Sequence, residues 1–502
     1  MATKKYVATG DTTIVNAFEA SLTTRGTGSN MGFADSLEVF SIYGQESGSA
    51  TGQSQELSRI LIQFPITSIA ADRTAGTVPA SGSVSFYLKM YNAEHPFTLP
   101  QGFNLVIAPV SRSWSEGTGL DMDNYQDIGT ANWIKSDDSN SWTSIGGDYR
   151  TGSNYNVLFE QGYENLDLDV SEVVEKWISA DDPAYANNYG FGVHLTASQE
   201  AYFSSSTGAD TSVLINNPQG ATQSYYTKRF FARSSEFFFK RPVLEARWDS
   251  RILDNRENFY YSSSLAPAAD NLNTLYFYNY VRGRLVNIPA VGTNNVLVSL
   301  YSGSTSPKSA KLYLYNGGTN VTGGWVSTGI YSASVALTAA TTPLPALFDV
   351  WHSSSVEYFT GSIYPNLMPT YDAAPTFTKV TSCKNLKKVY SRMDKARFRF
   401  FVRSRDWSPT IYTVATKNNP TEIMPSASYS VWRVTDNYNA VSYGTGSNYS
   451  TYLSYDKDGN YFDFDMSLLE SGYMYEIKLS YYNDSIGDWQ EQPQTFKFRV
   501  EE

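Results

Sequence analysis

Apolar and polar residues alternate with a period of two along most of this chain. The pattern is clearest at residues 83–91, 295–301, 310–315 and 495–500, and clusters of Gly, Ser, Asn and Pro separate such segments. Successive side chains of a β-strand point to opposite faces, so this period indicates short strands with one buried face. The sequence therefore predicts an all-β chain.

One segment has the helical period instead. In DVSEVVEKWIS, which begins at Asp169, the valines and Trp177 are spaced as on one face of a helix. Asp169 or Ser171 can cap its first turn. We expect one short helix that flanks a sheet.

Two seams divide the chain, which at 502 residues is longer than one ordinary domain. The first follows the strand-like RPVLEARW, which ends at Trp248, and the second follows a Pro- and Thr-rich run and Cys383. We predict serial β-sandwich modules at residues 1–248, 249–383 and 384–502. We expect an antiparallel sandwich in the second and an Ig-like sandwich in the third. In the third, SGYMYEIKLSYY alternates as a strand with one buried and one wet face.

Charge and composition exclude several classes of protein. Lys and Arg total 38 against 49 Asp and Glu, a net charge of −11, so binding to nucleic acid or to an anionic membrane through bulk charge is not expected. No apolar run reaches the roughly 18 residues of a membrane span, and the start MATKKYVATG predicts no Sec-type signal. The single cysteine, Cys383, excludes intrachain disulfides.

An ordered set of motifs runs through the first module. It comprises Arg59 with Phe64, SWSEGT at 113–118, the helical segment 169–177, NYGF at 188–191, and Ser234 and Glu236 followed by Arg241, Pro242 and Leu244. In this order the motifs resemble the DNRLRE-type β-sandwich, a jelly-roll-like module of secreted polysaccharide-active proteins and of some phage structural proteins. The long inserts 121–165 and 202–226 depart from that pattern.

A sandwich core also accounts for many of these motif residues. We expect Trp114, Trp177 and Phe191 to fill the layer of about 10 Å between the sheets. We also expect the charged motif residues to form partly buried ion pairs with one another: Arg59, Glu116, Glu236 and Arg241. In the second module, GWVSTGIYSASVAL and the segments after it resemble β-modules of virion structural proteins of large tailed phages.

Residues suited to catalysis are sparse. The three histidines, His95, His194 and His352, lie in distant segments, and no G-x-S-x-G motif is present. We therefore predict that the chain is not an enzyme and has no obligatory cofactor.

Oxygen ligands suited to calcium recur at nearly alternating positions in two segments. They are Asp121, Asp123 and Asp127 in the first, and Asp456, Asp458, Asn460 and Asp463 in the second. The alternative for DKDGN, which we favour, is a hairpin turn.

A basic stripe begins the third module. Arg397, Arg399, Arg403 and Arg405 share one parity and would line one face of a strand whose other face carries Phe398, Phe400 and Val402. The stripe is either a solvated face or a docking surface for an acidic neighbouring subunit. Nucleic acid is a weaker alternative, because base-stacking aromatic residues would have to share the basic face.

The resemblances imply a non-enzymatic structural protein of a tailed-phage virion, attached to the neck, collar or tail and, as a second option, decorating the capsid. Its partners would be other virion proteins, with homo-oligomers expected, and it would assemble in the host cytoplasm. The alternative is an adhesin that recognises host surface glycans through the first module. Its sugar-stacking residues would then be exposed aromatic side chains of the insert: Trp133, Trp142 and Tyr149.

Overall fold

The computed structural model describes most of the chain. It covers residues 2–44, 55–94, 100–121, 130–207, 211–263, 266–303, 310–315, 317–337, 344–365, 379–411, 421–444, 449–484 and 486–502. Two compact units result, Thr3–Trp248 and Asp249–Glu502. In the described ranges, no helix is both long and apolar enough to cross a bilayer.

The first unit contains eleven strands in its described part. They are β1 (Ala2–Val7), β2 (Gly10–Val15), β3 (Ser36–Tyr43), β4 (Gln55–Gln63), β5 (Val84–Met90), β6 (Phe103–Pro109), β7 (Tyr155–Phe159), β8 (Leu166–Asp169), β9 (Phe191–Leu195), β10 (Tyr225–Phe231) and β11 (Val243–Trp248). One sheet has the order β1-β11-β5-β8, and the other has the order β10-β3-β4-β9-β6-β7 with β2 beside β4. Apolar side chains from both sheets share one core, which makes this unit a β-sandwich.

Two helices flank this sandwich. Helix α2 (Ser171–Ser179) is the predicted one, and Asp169 accepts hydrogen bonds from the Ser171 N–H and hydroxyl at 2.9 and 2.6 Å. Helix α1 (Ile66–Thr74) was not predicted, because its nine residues bury only Ile66 and Ile69 and show no clear period. Arg73 at the end of α1 donates two hydrogen bonds to the Glu175 carboxylate of α2, at 2.7 and 2.6 Å, and this ion pair stabilises α1.

The second unit begins with a sheet that curls around its own core. Its strands are β12 (Asn273–Tyr278), the short hairpin β13 (Tyr280–Val281) and β14 (Arg284–Leu285), β15 (Val296–Gly303), β16 (Ala310–Lys311), β17 (Val321–Ser327), β18 (Ile330–Val335), β19 (Ala346–Ser353) and β20 (Val356–Ile363). The sheet order is β12-β18-β17-β15-β19-β20, with β16 beside β15. Phe277 of β12 nevertheless contacts Trp351 and Phe359 of the far strands, with ring centroids 5.7 and 5.2 Å apart.

The remaining strands form an Ig-like sandwich. They are β21 (Lys379–Cys383), β22 (Val389–Ser391), β23 (Lys395–Ser404), β24 (Ala427–Arg433), β25 (Tyr438–Val441), β26 (Ser454–Asp456), β27 (Gly459–Asp465), β28 (Met474–Asn483), β29 (Asp488–Glu491) and β30 (Phe496–Glu501). One sheet is β21-β23-β27-β26 and the other is β22-β30-β28-β24-β25 with β29 beside β28. The alternation in β28 is as predicted, because Tyr475, Ile477 and Leu479 are buried, although Tyr473 before it is exposed.

The two sandwiches of the second unit share a segment. Residues 252–254 run beside β26: Tyr455 donates its N–H to the Ile252 carbonyl at 3.0 Å, and Asp254 donates its N–H to the Tyr455 carbonyl at 3.1 Å. Asn255 then donates to the Tyr455 hydroxyl at 2.9 Å. Strand β21, which precedes the predicted seam at residue 383, belongs to the C-terminal sheet.

Candidate docking surfaces

The basic stripe has the two faces that its alternation predicts. Phe398, Phe400 and Val402 of β23 are fully buried in the C-terminal core. On the opposite face, Arg397 donates two hydrogen bonds to Asp463, at 2.7 and 2.8 Å. Its neighbour Arg399 donates two to Asp456, at 2.6 and 2.8 Å. Half of the predicted stripe is therefore already paired with carboxylates of the same chain.

An aromatic side chain separates these two ion pairs. The guanidinium groups of Arg397 and Arg399 lie 4.4 and 4.8 Å from the ring centre of Tyr461, which is buried although it is on the outer face of the sheet. Burial raises the pKa of Tyr278 in the middle sandwich, and the nearby Tyr461 raises it further. Both arginines at this end of the stripe thus contact the same ring of their own chain.

The other two arginines of the stripe are engaged differently. Arg403 donates to the backbone carbonyl of Ser404 at 3.1 Å and more weakly to those of Arg405 and Trp407 at 3.4 Å. Arg405 lies beyond the end of β23, is 59% exposed, and is 3.8 Å from Asp406. Arg397 is also about half exposed, but its charge is paired with Asp463, so Arg405 is the most exposed cation of the stripe.

We expect charge reversal at Arg399 to destabilise the fold. Arg399→Glu places two carboxylates together in a site where both partners are less than one-fifth exposed. The free energy of unfolding of the full chain should fall by about 1–3 kcal/mol in chemical denaturation, and Asp456→Arg in the same chain should recover part of the loss. Arg405→Glu is the control, with an effect below about 0.5 kcal/mol. Equal effects of the two reversals would show that Arg399 is not structural.

Three of the four candidate calcium ligands between Asp456 and Asp463 have other partners. Asp456 pairs with Arg399, Asp463 pairs with Arg397, and Asn460 is buried with its amide donating to the Met424 carbonyl at 2.8 Å. Asp456 and Gly459 are opposed across the turn between β26 and β27, so the favoured hairpin is the structure that forms. Over the described ranges, no three His, Cys, Asp or Glu side chains are grouped to hold a metal ion. Asp123 and Asp127 lie outside the described residues.

The predicted sugar-stacking residues are not at the surface. Trp133 is completely buried and Trp142 is 5% exposed. Their indole N–H groups donate to the carbonyls of Val213 and Asn132, at 3.0 and 2.8 Å. Tyr149 is half-buried against the His194 ring, 5.1 Å away. The expectation that these rings are exposed is wrong for both tryptophans, because they form a second core outside the main sandwich layer.

A buried polar network lies against that second core. Arg59 donates two hydrogen bonds to Glu200, at 2.9 and 2.8 Å, and one to the Gly146 carbonyl at 3.0 Å. Burial lowers the pKa of His194 to about 4, and Arg59 lowers it as well. Burial also raises the pKa of Tyr149 to about 12. Neutral His194 and Tyr149 therefore surround a single compensated ion pair, which has a structural role.

The SWSEGT motif supplies another internal contact. Arg233 donates to Glu116 at 3.1 and 2.7 Å, and its N–H donates to Asp11 at 2.6 Å. Burial raises the pKa of Asp11 to about 7, although the bond from Arg233 opposes the shift. Two of the charged motif residues do not form the expected pairs, since Glu236 is exposed and Arg241 donates to the Ser235 carbonyl at 2.9 Å.

Large apolar side chains lie exposed next to that motif. Four of them, which we name the phenylalanine patch, are each more than half exposed: Phe33, Leu120, Phe237 and Phe238. Phe33 donates its N–H to the Gly119 carbonyl at 2.8 Å, and the adjacent Ala34 accepts a hydrogen bond from Ser234. These two hydrogen bonds connect the segments around residues 33, 120 and 237, which carry the patch.

Cations border the phenylalanine patch. Lys240 lies 5.6 Å from the ring centre of Phe237, and the Arg241 guanidinium lies 5.5 Å from that of Phe238. Aromatic residues with arginine are enriched in protein interfaces, and contiguous exposed apolar patches mark interaction sites. The signal was visible in the sequence as FFFKR at 237–241, but strand-like runs of Phe are more often core, so exposure was not predictable.

Fold and surfaces together define a chain of serial β-sandwiches with an exposed aromatic patch.

No protein family model and no curated protein matches this chain. Weak similarity extends to trypsin-activated α-2-macroglobulin from Escherichia coli (7% identity, 88% of this chain and 24% of that chain, TM-score 0.15). It extends also to DIP-gamma IG1+IG2 (7% identity, 46% and 90%, TM-score 0.11) and to Salmonella α-2-macroglobulin reacted with methylamine (9% identity, 99% and 34%, TM-score 0.14). At these TM-scores the alignments establish neither fold nor function.

Proposed function

We propose that this protein is a non-enzymatic structural component of a tailed-bacteriophage virion, located at the neck, collar or tail, and that it acts by docking to other subunits. Capsid decoration is the second location. The phenylalanine patch is the observation that supports docking, and the sequence resemblances described above are what point to a phage virion. A side chain such as Phe237, which is 51% exposed in the free chain, gains about 1 kcal/mol when a partner buries its exposed half.

The interior of the sandwiches supports a scaffold role. The Arg59–Glu200 and Arg256–Asp349 pairs are buried and hydrogen-bonded within the chain. A buried Asp349 oxygen also accepts the Trp351 indole N–H at 2.7 Å. Groups held in this way stabilise one geometry and present little free chemistry. Rigid sandwiches with aromatic surface patches suit assembly through surface burial.

Particle composition tests the proposal directly. Mass spectrometry of purified phage particles should detect the chain at a fixed copy number. A chain that is present in infected cells but absent from purified particles would refute the virion assignment.

Substitution in the phenylalanine patch tests how the chain docks. Phe237→Ser with Phe238→Ser should lower incorporation into particles at least about tenfold, since the burial of two half-exposed rings, about 2 kcal/mol in all, is lost. The stability of the free chain should change little, because both rings are exposed. Leu158→Ser is the control, since Leu158 is 52% exposed on β7. Normal incorporation of the double variant would exclude the patch as a docking surface.

A further inference from the structure

The hairpin β13–β14 presents charge and apolar surface together. Tyr280 and Val281 are 62% and 50% exposed, and Arg282 and Arg284 are also exposed. No ion pair joins either guanidinium to a described residue. We name residues 280–285 the basic hairpin.

The basic hairpin is held firmly on the middle sandwich. Asn279 donates its N–H to the Gly329 carbonyl at 2.8 Å and its side-chain amide to the Val286 carbonyl at 2.7 Å. Asn287 accepts from the Trp325 indole at 3.1 Å. Trp325 is itself 38% exposed, so it extends the apolar surface beside the hairpin.

The turn of this hairpin departs from the usual residue choice. Arg282 has φ of 51° and Gly283 has φ of 79°. Two-residue hairpin turns of this kind favour Asn, Asp or Gly at both central positions. Arg282 therefore holds a left-handed conformation that is unfavourable for an arginine.

A second hairpin in the Ig-like sandwich has the opposite charge. At the turn between β28 and β29, Asp484 and Asp488 are exposed, and no ion pair joins either carboxylate to a described residue. Tyr482 and Ile486 beside them are 39% and 44% exposed. We name these four residues the acidic hairpin. It matches the basic hairpin in number of charges and in apolar content.

We propose that the basic hairpin of one copy of this protein docks on the acidic hairpin of a second copy. Both hairpins are exposed in the same chain, so each copy can be engaged at both. A contact between two different surfaces generates a ring or a filament. A symmetric contact of either hairpin with itself would bring like charges together, which is unfavourable. The inference names a partner for the proposed docking function and rests on that function.

Charge-reversal variants of the two hairpins test the inference. Sedimentation velocity of the full chain over a concentration series measures self-association. The unmodified chain should self-associate, and more weakly at high salt. Arg282→Glu with Arg284→Glu, and separately Asp484→Arg with Asp488→Arg, should each weaken self-association about 100-fold or more. A one-to-one mixture of the two variants should associate again, because each contact between the two different variants joins opposite charges.

The control for the arginine variant is Lys311→Glu with Lys388→Glu, which changes the net charge by the same amount at exposed lysines elsewhere and should leave association unchanged. An unmodified chain that stays monomeric, or a mixture that fails to associate, would overturn the inference. A monomeric chain found in purified particles would refute only this inference. A self-associating chain absent from particles would refute the virion assignment instead.

Discussion

Replacing Arg59 by Met should lower the free energy of unfolding of the first unit by about 3–5 kcal/mol, because it leaves the Glu200 carboxylate buried without its partner. The side chains of Arg59 and Glu200 are only 9% and 6% exposed, so water cannot replace the lost bonds. Native-state hydrogen exchange at the amides of β4 and β9 measures the effect in the full chain.

A double variant distinguishes the contribution of the Arg59–Glu200 ion pair to stability from the cost of leaving one buried charge unpaired. Arg59→Met with Glu200→Leu should lose clearly less than Arg59→Met alone, since an apolar pair of similar volume removes the desolvated charge. The Gly146 carbonyl, which accepts from Arg59 at 3.0 Å, keeps the recovery incomplete. A loss below about 1 kcal/mol for Arg59→Met would contradict a structural role for this ion pair.

Trp133→Ala should lower the free energy of unfolding by about 3–5 kcal/mol as well, because it leaves a cavity where a fully buried indole was. The ring packs in the second core of the first unit and its N–H donates to the Val213 carbonyl. Denaturant unfolding and hydrogen exchange of β4 check the size of the loss.

Trp325→Ala provides the matched control for this substitution. Its indole is 38% exposed, and we expect a loss below about 1 kcal/mol. If Trp133→Ala left stability unchanged but abolished binding to polysaccharides, the indole would be an exposed sugar platform. That outcome would restore the glycan-binding alternative.

Local patterns were sufficient to predict many elements of this fold. The alternation in β23 predicts which side chains enter the core, since the pleat sets faces without reference to any partner strand. The apolar spacing likewise predicts α2, although its N-cap residue is Val170, which makes no side-chain capping hydrogen bond. Helix α1 escaped prediction because its residues show no clear apolar period and because its ion pair joins Arg73 to Glu175, which are 102 residues apart.

By itself, the sequence determined that the chain is all-β, which faces of β23 and β28 are apolar, and where one helix begins. Only the tertiary structure decided that Arg397 meets Asp463 and Arg399 meets Asp456, across 66 and 57 residues of chain. It also decided that Trp133 is buried while Phe237 is exposed. The physical reason is that strand faces follow from local backbone geometry, whereas ion-pair partners and burial depend on which distant segments pack together.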